Sequence, residues 1–126
     1  MPIHPLVVHF PIALFITALG FEILSVFLKN KILHQTAWYN YVLGIFSAPV
    51  AVSTGLWDGR FWADPRFYAH RTFGCITLGF CIISGLILVL VKRKSLKLFR
   101  ILFFFLLLAV VGFVAITAYY GGKLVY

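Results

Sequence analysis

The sequence predicts an all-α integral membrane protein: one four-transmembrane-helix bundle spanning residues 1–126, with both termini on the extracytoplasmic side. Three observations lead to this prediction. The chain is 63% hydrophobic and only 11% charged, whereas a soluble domain carries about 25% charged residues. Its apolar residues fall into four segments of membrane-spanning length. Its basic residues concentrate in the first and third connections between those segments, as cytoplasmic loops do.

The four apolar segments are expected at about residues 10–28, 38–56, 72–91 and 98–118. Each is close to the roughly 20 residues that cross a hydrocarbon core of about 30 Å. Because a backbone in lipid must satisfy its own hydrogen bonds, each segment is predicted to be a helix. Four such helices are expected to pack as a bundle.

Orientation follows from the connections between the segments. The first connection holds Lys29 and Lys31, and the third, residues 92–100, holds five more basic residues. The second connection and the C-terminal tail share four. The positive-inside rule therefore predicts that connections one and three face the cytoplasm of a bacterial inner membrane. The same distribution explains the net charge of +8 without nucleic-acid binding.

In this topology the polar side chains collect at the extracytoplasmic end. They are His4, His9, Asp58, Arg60, His70, Arg71 and Lys123, the last within the segment Tyr119–Lys123. Ionisable residues at the edge of a membrane span favour a functional site. On the third helix, Gly74, Thr77 and Cys81 follow His70 along one face, and this lane of small residues is predicted to leave room for a flat group.

Two further patterns lie inside the spans. The second helix carries small residues at intervals of three and four, which predicts close packing against another helix; they are Gly44, Ala48, Ala51 and Gly55. Glu22 is a carboxylate within the first span. It is expected to snorkel toward the cytoplasmic side or to form a hydrogen bond near Lys29.

Three motifs carry a resemblance to a known family. HPLVVHFPIAL at residues 4–14, STGLWDGRF at 53–61 and YYGGKLVY at 119–126 resemble a small bacterial membrane family catalogued as domain of unknown function 2231. The family pattern also has a histidine that opens the third helix, a position held here by His70. Members of that family are sometimes fused to c-type cytochrome segments, so the resemblance implies redox chemistry outside the cytoplasm.

The first functional hypothesis is a b-type haem held between helices one and three, with His9 and His70 as the axial ligands of the iron. Bis-imidazole ligation needs one neutral histidine from each of two facing helices. His4 is a supporting group or an alternative ligand. Rim cations are expected to pair with the propionates, namely Arg60, Arg71 and Lys123. Such a protein is an electron-transfer subunit with a c-type cytochrome or other redox partner, rather than a stand-alone enzyme.

Two alternatives remain open. The protein is a cofactor-free structural or assembly subunit of a larger membrane complex, held in register by a polar network of histidine, aspartate and arginine. Or it binds a non-haem metal through His4, His9, His70 and Asp58, since imidazole and carboxylate suit zinc, copper or iron. A hydrolase is disfavoured, because no serine or cysteine lies near the histidines with a base and an orienting acid.

Overall fold

The computed structural model describes residues 3–58 and 64–125. Within these ranges all regular secondary structure is α-helical, with no strand, and the helices are α1 (His4–Val7), α2 (His9–Leu28), α3 (Lys31–Asp58), α4 (Pro65–Lys94) and α5 (Leu96–Val125). α1 runs into α2 with one intervening residue, and the two act as a single element. α2 packs along α3 and α4 along α5, and further contacts join α3 to α4 and α2 to α5. Each predicted apolar segment falls within one helix, although the helices extend beyond the predicted ends.

Three of these elements are long and apolar enough to cross a membrane: His4–Leu28, Pro65–Lys94 and Leu96–Leu124. Large apolar side chains project from the outside of all four long helices. Those with exposures between 61% and 79% include Phe27, Phe46, Leu90 and Phe105. Apolar side chains covering every helix match a lipid environment rather than water. The chain is therefore a multi-pass membrane protein in contact with the bilayer.

Short polar connections join α2 to α3 and α4 to α5 at one end of the bundle, which we call the basic end (Lys29, Lys31, residues 92–97 and Arg100). Lys29 closes α2 in the left-handed conformation, with φ of 50°, and the Asn30 side chain accepts two amide hydrogen bonds from the first turn of α3. Residues 92–100, predicted as a loop, are instead helical except at Ser95. The hydroxyl of Ser95 accepts the amide of Leu98, so one capping residue suffices to restart the helix.

α4 begins earlier than the sequence predicted. Asp64 caps it by accepting the Arg66 amide at 2.8 Å, and Pro65 occupies the first turn, where its missing N–H costs nothing. Hydrogen bonds from Arg66 also hold the pKa of the Asp64 carboxyl below its usual range. His70 consequently lies in the second turn of α4 and does not open the helix.

The bundle consists of two hairpins, α1–α3 and α4–α5, that bury the same positions at an offset of 66 residues. Four buried positions in α2 match four in α4: Pro11, Phe15, Ala18 and Glu22 correspond to Thr77, Cys81, Ser84 and Leu88. Four in α3 match four in α5: Ala37, Tyr41, Gly44 and Ala48 correspond to Phe103, Leu107, Val110 and Val114. Repeats that run in the same direction place equivalent residues on opposite sides of an axis along the membrane normal.

Close packing within the first hairpin confirms the predicted ladder of small residues. Gly44, Ala48 and Ala51 are buried in α3. A Cβ added to Gly44 would lie 2.7 Å from Cε1 of Phe15, so only glycine lets the aromatic ring of α2 pack against this backbone. The hairpins are joined in the core by a hydrogen bond of 2.6 Å between the hydroxyls of Tyr41 and Ser84.

Candidate functional site

Two histidines meet at the end of the bundle opposite the basic end, which we call the histidine end. The rings of His4 and His70 have centroids 5.8 Å apart and an angle of 66° between their planes. Both side chains are partly buried. They occupy equivalent positions, because His70 follows His4 by the same 66 residues that relate the buried faces of the two hairpins.

Each ring is anchored to the second helix of its own hairpin in the same way. Nδ1 of His4 lies 2.8 Å from the carbonyl oxygen of Ala51, and Nδ1 of His70 lies 2.9 Å from that of Thr117. Both bonds join residues 47 positions apart. A carbonyl oxygen only accepts, so each Nδ1 is the donor in its bond and Nε2 is the ring nitrogen that remains for another partner. Within residues 3–58 and 64–125, no hydrogen bond reaches either Nε2.

A glycine supports each ring one helical turn beyond the anchoring carbonyl. A Cβ on Gly55 would lie 2.8 Å from Cε1 of His4, and a Cβ on Gly121 would lie 2.9 Å from Cε1 of His70. Both distances are shorter than van der Waals contact, so any larger residue would push the imidazole aside. The main-chain carbonyl and the glycine together fix the position of each histidine ring.

Asp58 fixes the start of the first hairpin. Its Oδ2 accepts the backbone N–H of His4 at 2.8 Å, which ties the first turn of α1 to the last turn of α3. The carboxylate thus binds the backbone N–H of the same histidine whose ring contacts His70. Its position explains how a helix of four residues is held against the bundle.

The structure does not bring His9, the predicted partner of His70, to the paired rings. His9 is exposed, and its Nδ1 bonds locally with the carbonyl oxygen of Pro5. The helical segment already begins at His4, and five residues at about 100° each turn His9 about 140° away from the His4 direction. His4, predicted as a supporting group or alternative ligand, is the residue whose ring contacts that of His70.

The predicted rim cations have different positions. Arg71 is exposed beside the site. Lys123 is also exposed, with its Nζ 4.5 Å from the centre of the Tyr119 ring, and its carbonyl oxygen accepts a hydrogen bond from Arg66. Arg60 lies outside the described residues. Arg66, which the sequence reasoning did not select, therefore links α4 to the end of α5.

The lane of small residues on α4 does not stay open. The hydroxyls of Thr77 and Thr117 lie 3.0 Å apart, and the methyl of Thr117 is 3.8 Å from a Cβ placed on Gly74. Cys81 is fully buried. The side chains of α5 fill the space that the sequence assigned to a flat group, because small residues also let a neighbouring helix approach.

The non-haem metal alternative requires three or four protein ligands. Within the described ranges, no group of three or more histidine, cysteine, aspartate and glutamate residues is placed to hold a metal ion. His4 and His70 are close together, but His9 is exposed and directed elsewhere, and Asp58 already binds a backbone amide.

A second polar pair, which the sequence reasoning missed, lies near the basic end. Oε2 of Glu22 is 2.8 Å from Nδ1 of His34, and Glu22 is only 1% exposed. Lys29, the expected neighbour of Glu22, is exposed instead. The sequence could have indicated this pair, because Glu22 and His34 flank the turn between α2 and α3. Residues in such positions face each other across an antiparallel hairpin.

Comparison with known proteins identifies the family. The chain matches the family described as "Predicted membrane protein (DUF2231)" over residues 1–126, and it belongs to that family. No curated protein matches the chain, and no solved structure matches it.

Proposed function

We propose that this member of the DUF2231 family is an electron-transfer subunit of the bacterial inner membrane, in which His4 and His70 hold a b-type haem. The observation that carries the proposal is the pair of equivalent imidazoles, each anchored through Nδ1 and each with no partner on Nε2 in the described ranges. A haem iron takes at most two ligands from the protein. Zinc and similar ions take three or four, which this pair does not supply.

The two histidines suit the iron of such a group, whereas the lane that the sequence assigned to its porphyrin is filled by α5. His4 and His70 would hold the iron through Nε2, and their ring centroids are 5.8 Å apart. Carbonyl acceptors on Nδ1 fix the tautomer and orientation of metal-binding histidines, and the oxygens of Ala51 and Thr117 take that position here.

The haem, when bound, supplies one-electron chemistry at the histidine end. The chain would contribute two imidazoles for the iron and exposed cations for the carboxylates of the propionates. Arg71 and Lys123 are exposed at this end, and Arg60 is assigned the same role from the sequence. The electron partner on this reading is a c-type cytochrome or another extracytoplasmic redox protein.

The proposal includes the topology. α3 has 28 residues, about 42 Å of helix, which is long enough to be a fourth span. With four spans both termini lie on the extracytoplasmic side, and the basic end faces the cytoplasm. A cysteine placed at Lys97 should react with a membrane-impermeant maleimide only after cells are opened, whereas one at Asp64 should react in intact cells. The reverse pattern would refute this orientation.

A visible spectrum tests the haem. Protein expressed with sufficient haem and purified in detergent should show a Soret band and, after dithionite reduction, a sharp α band. His4→Ala and His70→Ala should each abolish low-spin binding, whereas His9→Ala should keep the spectrum of the wild type. A wild-type protein without haem after reconstitution would refute the proposal. A bound non-haem metal without a Soret band would support the non-haem metal alternative instead.

A cofactor-free structural subunit is the second candidate. The direct contact of the two imidazole rings and the filling of the α4 lane by α5 favour it. In that case the histidines lock two hairpins together, and His70→Ala lowers the stability of the bundle and its association with a larger complex. A colourless wild-type protein that co-purifies with membrane subunits, and loses them in His70→Ala, would support this candidate.

A further inference from the structure

We propose that Glu22 and His34 form a proton-binding site that exchanges protons with water at the basic end. The site lies at the other end of the bundle from His4 and His70, and it does not depend on the presence of haem. It couples a carboxylate on α2 to an imidazole on α3 within the first hairpin.

The geometry is that of an enclosed acid–base pair. Nδ1 of His34 lies 2.8 Å from Oε2 of Glu22, and the two side chains are 16% and 2% exposed. The edges of Phe99 and Phe103 enclose the imidazole, with ring centroids 5.9 and 5.8 Å away. Because Nδ1 donates to the carboxylate, Nε2 of His34 is the position that takes up or gives off a proton.

The charge of the pair depends on that proton. A neutral imidazole beside a carboxylate leaves one negative charge in the core, which is strongly unfavourable where water is excluded. Uptake of one proton on Nε2 converts the pair to imidazolium and carboxylate, with no net charge. The transfer balances as one proton moving from a water-borne acid to Nε2, leaving its conjugate base, with no change of oxidation state.

The second hairpin acts as an internal control for the first. The position equivalent to Glu22 is Leu88, which is fully buried, and Val91 stands in the place of Ser25. A bundle of this design therefore packs well with aliphatic residues at these positions. The fold does not require a carboxylate here, so its presence in the first hairpin points to a chemical role.

A cavity lies near the pair at the basic end, although neither Glu22 nor His34 lines it. It has a volume of about 420 Å³ and is lined by Ser25, Val26, Lys29, Lys31 and Arg100. The hydroxyl of Ser25 donates to the main-chain carbonyl oxygen of Glu22, so one residue of the cavity lining contacts Glu22 through its backbone. The His34 side chain is itself 16% exposed, which gives the pair its own contact with the surroundings.

Each neighbouring helix presents polar groups near the pair. On α4, Lys92 places its Nζ 4.9 Å from the centre of the Trp38 ring and 5.3 Å from that of Phe99, one ring beyond His34. The other titratable or hydroxyl groups around the site are Ser25 and Lys29 on α2 and its end, Lys31 and Tyr41 on α3, Ser84 on α4 and Arg100 on α5. Among the described residues, none of these cations forms an ion pair with Glu22, so His34 is the group that balances its charge.

Nitrogen-15 NMR of histidine-labelled protein in nanodiscs tests the proposal, with the His34→Gln spectrum assigning the His34 signals. The wild-type signals should change from neutral imidazole to imidazolium as the pH is lowered. In Glu22→Gln the midpoint of that change should fall to lower pH, because the partner charge is gone. Asp64→Asn removes a carboxylate at the opposite end and should leave the His34 midpoint unchanged.

The outcomes separate clearly. An unchanged midpoint in Glu22→Gln, or an equal fall in Asp64→Asn, would overturn the proposal. Glu22→Leu supplies the residue that the second hairpin carries at this position and should lower the midpoint likewise in a folded protein. If neither Glu22 variant folds, the wild-type titration decides alone, since His34 signals that stay neutral down to pH 5 would contradict proton uptake.

Discussion

Gly121 lies beneath the ring of His70, and its replacement by alanine sets two effects against each other. A Cβ at this position would lie 2.9 Å from Cε1 and 3.1 Å from Nδ1 of the ring, so the imidazole must move and its bond to Thr117 is lost. Helix propensity alone favours alanine by about 1 kcal/mol. Loss of the hydrogen bond costs about 0.5–1.5 kcal/mol, and a strained rotamer costs a similar amount.

Gly112 is a matched control on the same helix, because nothing lies within 4 Å of a Cβ added there. Gly112→Ala should raise the free energy of unfolding by up to about 1 kcal/mol. Gly121→Ala should be less stable than Gly112→Ala by about 1–3 kcal/mol. Equilibrium unfolding in mixed detergent micelles, followed by circular dichroism, measures both.

A double-mutant cycle shows whether the ring is the cause. In a His70→Ala background the imidazole is absent, so Gly121→Ala should then be as favourable as Gly112→Ala. If Gly121→Ala still lowers the free energy of unfolding in that background, the added methyl group clashes with something other than the imidazole ring. The packing of the His70 ring against Gly121 is then refuted.

Two further predictions concern the contacts that hold the hairpins. Tyr41→Phe removes the buried hydrogen bond to Ser84 and should lower the free energy of unfolding by about 0.6–1.5 kcal/mol in the same micelle assay. Tyr39→Phe, at an exposed position, should leave the free energy of unfolding unchanged. Equal effects of the two substitutions would contradict the role of the bond. Asp58→Ala removes the acceptor of the His4 amide and should release α1 from α3. Hydrogen exchange should then be faster at the amides of residues 4–8 and unchanged in α4. Amides of residues 4–8 that stay protected would show that packing alone holds α1.

The hydrophobic pattern predicted the helices well, because the length and apolarity of a span are properties of contiguous residues. The ladder Gly44, Ala48 and Ala51 also had a local signature, and its packing is confirmed. The extent of the helices was harder to predict. Basic residues near Ser95 suggested a loop, yet lysine and arginine continue a helix readily, and one serine cap was enough to separate α4 from α5.

The site was predicted only in part. His70 was expected to pair with His9, since the apolar run begins beside His9, whereas the ring that contacts His70 is that of His4. The 66-residue offset that relates His4 to His70 and Gly55 to Gly121 was present in the sequence. Few other residues are identical at that offset, so the repeat becomes evident only from the positions that are buried.

By itself the sequence determined that this chain is a helical membrane protein of its family and that its polar residues collect at the ends of its spans, because lipid imposes those requirements on each segment separately. The tertiary structure decided which groups meet. The phase at which each helix starts places His4 rather than His9 against His70, and the tight turn at Lys29 brings Glu22 opposite His34. Such pairings depend on rotation and register between helices, which a contiguous stretch of residues does not encode.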